Sequence, residues 1–169
     1  MALFPPGKGG GDGVGVAYGR KSKSILIHAI TDAAGMPIAS CTTPANWDER
    51  AQVIPLLDAV KVRIGKVGRP KKHFKVLAAD KGYDSKDSRK CLRKRGTRPQ
   101  IPKRVWNDKK PPGRPSKNDT LRFQEERAFV WLQRKYRRLV VRWERIFVCF
   151  SAFLTLGIIY TWIGKLIVG

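Results

Sequence analysis

A chain of 169 residues can form one compact domain with a real core and is too short for two of ordinary size. Thirty-five Lys and Arg against thirteen Asp and Glu leave a formal charge of +22, which repels itself unless something anionic lies against it. Nucleic acid is the first candidate partner and an anionic membrane surface the second. The basic clusters at 61–72, 86–98, 103–117 and 134–145 run along the whole chain, which favours a folded basic face over a disordered basic arm. Cys41, Cys91 and Cys149 are odd in number, far apart and without metal-ligand spacing, so they say little, and a reducing cytoplasm is the simplest expectation. The first residues carry no basic segment followed by an apolar run, and no secretory signal is expected.

In chain order, residues 1–23 are rich in Gly and Lys around 9–13, a density that predicts flexible backbone. A phosphate-binding loop is a weak reading there, because no strand precedes it and no Gly-Lys-Ser/Thr ending follows. Residues 24–30 and 36–42 are apolar and β-branched around a turn at 32–35, which predicts a β-hairpin. Asn46 to Glu49 resembles a helix start, with Val53, Ile54, Leu56, Leu57, Val60 and Ile64 at helical spacing, Pro55 as a kink or fresh first turn, and an end near Gly65 or Gly68. Residues 73–79 predict a short buried strand that ends at Asp80, with a turn at 81–83. Asp84 and Ser85 then cap a basic helix closed by Gly96, and 97–101 make an edge strand. Residues 102–118, with four prolines and six Lys or Arg, predict an exposed basic loop.

From Asp119 the pattern is helical, with Leu121, Phe129, Leu132 and Tyr136 near one face and Arg122 four residues before Glu126 on another. A final helix or helix pair starts near Leu139. Residues 146–164 carry no charge and are long enough to cross a bilayer. Their Ser, Thr, Gly and Tyr content and the basic helical stretch before them favour a buried or partner-packed helix over a span. Phe129, Trp131 and Trp143 fall on apolar helical faces and are expected in the core rather than as base-stacking platforms.

The order hairpin, helix, strand ending in Asp, basic helix, basic loop and Glu-bearing helix resembles the ribonuclease-H-like catalytic domain of bacterial insertion-sequence DDE transposases. The resemblance is carried by the Gly-rich stretch and basic residues at 7–21, Asp32-Ala33-Ala34-Gly35, Pro44-Ala45-Asn46, Ala79-Asp80-Lys81-Gly82-Tyr83-Asp84, and the run from Glu126 to Leu132 followed by Tyr136 to Leu139. It implies an α/β fold, a mixed sheet flanked by helices with long C-terminal helices, and a function in DNA binding, metal-dependent phosphodiester hydrolysis and strand transfer. In the family three carboxylates hold two divalent cations, usually Mg2+ with Mn2+ as a substitute, to serve the attacking and leaving oxygens. Asp80 matches the second carboxylate and Glu126 the third. Arg122 matches a basic residue four positions before the Glu, and Arg134 approximates one about two turns after it. Glu125, without an Arg four residues before it, is the weaker alternative to Glu126.

The resemblance also implies departures. The family's first aspartate and its strand would lie just before the Gly-rich stretch, where this chain has Met1-Ala2-Leu3-Phe4, so a C-terminal fragment lacking the first strand is expected, and it would need no metal if inactive. Asp12 and Asp32 are unconvincing replacements, and a Tyr expected near Asp119 is missing. The expected organisation is a flexible segment at 1–23, a partial catalytic domain at 24–145 and an apolar helix at 146–169. Lys103, Arg104, Lys109, Lys110, Arg114 and Lys117 are the candidate DNA contacts. The implied partners are transposon ends and target DNA, in a homodimer or synaptic complex, in the cytoplasm at the nucleoid. A membrane-anchored basic protein is the competing class. A nucleic-acid-binding module without catalytic ancestry explains the charge but not the placing of Asp80 and Glu126.

Overall fold

The computed structural model describes residues 2–17, 22–62, 74–102 and 119–168, and within the last of these segments the side chains from residue 124 onward apart from 125 and 168. The hairpin forms where turn chemistry and β-branched residues place it. Strand β1 (Ala2–Leu3) and strand β2 (Gly15–Val16) are short; β3 (Lys23–Thr31) and β4 (Pro37–Pro44) are the long antiparallel pair. Asp32 closes the turn by accepting from the Ala34 and Met36 N–H groups at 2.9 and 2.8 Å, an Asx turn that needs no tertiary support. β3 is the hub, paired antiparallel with β1, β2 and β4. It is buried from Ser24 through Ile30, so its unbroken apolar run reflects cover on both faces.

Alternation along β3 sends Ile25, Ile27 and Ala29 to one side, where they pack with Phe129, Leu132, Leu139, Phe150 and Leu154 of the C-terminal helices. The opposite phase places Ile30 against Val53, Leu56, Leu57, Tyr83, Leu92 and Ile101. Helices therefore cover both sides of the sheet. On the second side stand α1 (Val53–Ala59), introduced by a 3-10 turn at Glu49–Gln52, and a parallel unit of β5 (Val76–Ala78), α2 (Lys86–Lys94) and β6 (Arg98–Gln100). Ser85 caps α2 by accepting from the Ser88 N–H, and Gly96 ends it in the left-handed region at φ 70°.

Two expectations about the course of the backbone change. The helix expected from Asn46 to Gly65 or Gly68 divides into the 3-10 turn and α1 and stops at Ala59, because Val60 turns to extended backbone. Pro55 sits in the first turn of α1, where its missing N–H costs no helical hydrogen bond. The Gly-rich stretch, expected to be loose, is laid against the segment that precedes the last helix. Gly9 N–H donates to the Arg142 carbonyl, Asp12 N–H to the Arg145 carbonyl, and Arg142 N–H to the Pro6 carbonyl. A Cβ at Gly9 would collide with the Trp143 carbonyl and one at Gly11 with that of Arg145, so glycine here permits backbone to touch backbone.

On the first side, α3 (Asp119–Lys135) is followed by a 3-10 turn at Arg137–Leu139, an irregular link and α4 (Phe147–Val168). α4 is pinned along β4 by the hydrogen bond between the Ser151 and Thr42 hydroxyls at 2.8 Å and by Trp162 Nε1–H donating to the Pro37 carbonyl at 2.7 Å. It is long and apolar enough to cross a membrane, and only 17 % of its apolar window is buried. For the buried or partner-packed helix expected here, burial is therefore confined to one edge: Phe150 and Leu154 enter the core, while Val148, Leu156, Ile159 and Ile163 face outward. Trp143 and Trp131, expected in the core, are also exposed, at 62 % and 48 %, whereas Phe129 is buried as expected.

Candidate active site

Asp80 follows the carboxyl end of β5, where parallel strands deliver side chains to a shared rim. Its backbone is extended and its carboxylate accepts the Lys81 N–H at 2.7 Å, capping the 3-10 turn Lys81–Tyr83. That turn is fixed from below. Buried Tyr83 shares a hydrogen bond with His28 Nδ1 at 3.2 Å, and His28 Nε2 meets Thr43 Oγ1 at 2.9 Å, so β3 and β4 hold the turn in place. Burial lowers the His28 pKa to about 4, so the ring is neutral at ordinary pH. From the far side, Arg89 donates to Asp84 at 2.6 Å and to the Ile101 carbonyl at 2.6 Å, tying α2 to the residues after β6.

Glu49, read in the sequence as part of a helix start, stands beside this turn. Burial first, and the negative charge of Asp80 among the lesser causes, raise its carboxyl pKa above the usual range. The pairing is a tertiary effect of the 3-10 turns at 49–52 and 81–83, and neither local sequence signals it. His28 is similarly silent, a lone His in an apolar strand whose partners lie 15 and 55 residues away.

Glu126 lies on the opposite layer, half-buried near the middle of α3. Its neighbour Arg127 donates to the Ala34 carbonyl at 3.1 Å, which moors α3 to the hairpin turn. Arg134 is exposed in the last turn of α3. The side chain of Arg122 and residues Lys103, Arg104, Lys109, Lys110, Arg114 and Lys117 lie outside the described residues.

Among the described residues, no three His, Cys, Asp or Glu side chains gather closely enough to hold a metal ion. The donors that are present, carboxylates at 49, 80 and 126, are hard oxygen ligands that suit Mg2+ or Mn2+ in kind, while falling short of an assembled cage. Asp12 and Asp32 are otherwise employed. Asp12 accepts the Phe147 N–H at the start of α4 at 2.8 Å and faces buried Arg142 at 3.5 Å, whereas Asp32 is spent on its turn. The Asp12 carboxylate thus caps the N-terminus of α4, where the helix dipole favours negative charge.

The sequence pattern of the family described as "Transposase DDE domain" matches residues 12–162. The protein named as transposase for the insertion sequence element IS402 of Burkholderia cepacia is 39 % identical over 130 residues, which cover 77 % of this chain and 58 % of that relative. This alignment therefore spans a little over half the relative's length. No solved structure matches. An α/β chain with a strand-end aspartate, a helix-borne glutamate and a match over most of its length belongs to the DDE transposase family of insertion sequences.

Proposed function

We propose that this chain acts on DNA as part of a transposase, binding transposon ends and target and serving metal-dependent phosphodiester hydrolysis and strand transfer. The observation that carries the reading is Asp80, held at the end of β5 by a turn braced on His28 and Tyr83, in a chain of this family. We further propose that the antiparallel sheet of β1 to β4 and the separate parallel pair of β5 and β6, with helices on both sides, belong to a ribonuclease-H-like arrangement, although the single mixed sheet expected from the sequence is not formed among the described residues. Asp80 and Glu126 would hold the divalent cation, Mg2+ or Mn2+, which when bound supplies charge at the attacking and leaving oxygens. Arg122 and Arg134 would steady the carboxylates or the phosphate, and Lys103, Arg104, Lys109, Lys110, Arg114 and Lys117 would grip the DNA backbone. The work would be done in the cytoplasm at the nucleoid, in a homodimer or synaptic complex.

The test uses two readouts. Titration of the chain with Mn2+, followed by the paramagnetic signal of the free ion, should show binding that weakens at least tenfold in Asp80→Asn and in Glu126→Gln. Affinity for a duplex should stay unchanged in both variants and fall steeply with salt as phosphate contacts release counterions. Any metal-dependent nicking should vanish in both. Unaltered Mn2+ binding in the two variants would place the metal elsewhere, and salt-independent duplex binding would refute the reading of the charge.

A further inference from the structure

We propose that Trp131, stacked on Arg127, is a platform for an unpaired nucleobase; the inference rests on the DNA-binding reading above and adds to it the strand form that is recognised. The burial of α3 is already accounted for without this residue. Phe129 and Leu132 enter the core against Ile25 and Ile27, while Trp131 keeps 48 % of its surface exposed. The indole is only half covered, so a broad part of its ring is left open to a partner beyond what packing uses.

Its setting is ordered. The Arg127 guanidinium carbon lies 4.7 Å from the Trp131 ring centroid, and the Ala34 carbonyl accepts from the same guanidinium at 3.1 Å. The cation is therefore fixed to the hairpin turn and covers the indole as a preset layer. Residues 127, 131 and 134 fall at spacings of four and three along one side of α3, so exposed Arg134 continues the stripe beyond the ring. A partner that suits such a stripe needs a flat π face for the indole and negative charge for the two arginines. A nucleotide has both. Bases inside a duplex are stacked on one another, so the base that reaches Trp131 is unpaired, at an overhang or a flipped position.

The experiment compares the full chain and two variants on a fluorescein-labelled blunt duplex and on the same duplex with a short single-stranded overhang, by anisotropy. The unaltered chain should prefer the overhang. Trp131→Ala should lose that preference, with affinity for the overhang falling about five- to a hundredfold, and keep its affinity for the blunt duplex. Trp131→Phe should recover part of the preference, since a smaller ring still stacks. Equal affinity of the unaltered chain for both duplexes would overturn the stacking inference and leave the DNA reading intact. So would an equal loss on both duplexes in Trp131→Ala, or no loss on either. Failure of the unaltered chain to bind either duplex would overturn both.

Discussion

The side chain whose surroundings have the clearest energetic consequence is His28. It is fully buried between Tyr83 and Thr43, and burial holds its pKa at about 4 against an ordinary 6.5. Between those values the unfolded chain binds a proton that the folded chain refuses, so the contribution of His28 to stability is complete above pH 6.5 and lost as pH falls toward 4. Complete loss amounts to about 3 kcal/mol, or roughly 6–12 °C in Tm for a chain of this size. Thermal melts between pH 7.5 and 4.5 should show the fall, and His28→Gln should flatten it. Parallel pH profiles in the two proteins would mean that the acid sensitivity arises elsewhere. The same residue shows a limit of sequence reading: its apolar neighbours in β3 revealed the strand, but nothing near it revealed a partner three residues past Asp80.

At the scale of elements, what was legible was local. Asp32 and Gly35 make the hairpin turn, Ser85 and Gly96 bound α2, and both signals act within four residues of themselves. Asp80 beyond a strand end was legible for the same reason, since it is the first polar residue after the apolar run, two positions past the end of β5. Contacts across more than a hundred residues were not. The Gly-rich stretch looked loose because its partner, 142–147, is far away in the chain. Trp131 and Trp143 looked buried because helical periodicity identifies a stripe without saying which edge of it meets the sheet. Phe129, Leu132 and Tyr136 take that place on α3. The joint between the two ends of the chain has measurable strength. Asp12→Ala removes the carboxylate that caps α4 and should cost about 1 kcal/mol in denaturant unfolding. Gly9→Ala forces the two backbones apart and should cost more, about 1–3 kcal/mol. If both were neutral, the contact would be one that folding does not use.

Across the whole molecule, charge and the apolar outer face of α4 oppose each other. A charge of +22 keeps copies apart and favours polyanions, while an open row of Val148, Leu156, Ile159 and Ile163 favours association. The core residues Phe150 and Leu154 and the bonds from Ser151 and Trp162 hold α4 to the sheet, so crossing a bilayer would tear it from β4. Membranes of cells expressing the chain should therefore release it on carbonate and high-salt washing, and retention after both would revive the anchored alternative. The charge itself makes a sharper prediction. Like charges at this density repel within the folded state, and salt screens them over a Debye length of about 10 Å at 0.1 M. Raising NaCl from 50 to 500 mM should thus raise Tm when no DNA is present. With saturating duplex the sign should reverse, because bound DNA stabilises the fold by linkage and the same salt releases it. Melts with and without duplex across that range decide the matter: a reversal shows that the basic surface is matched to DNA, whereas salt stabilisation that persists with duplex present would show that DNA never engaged it.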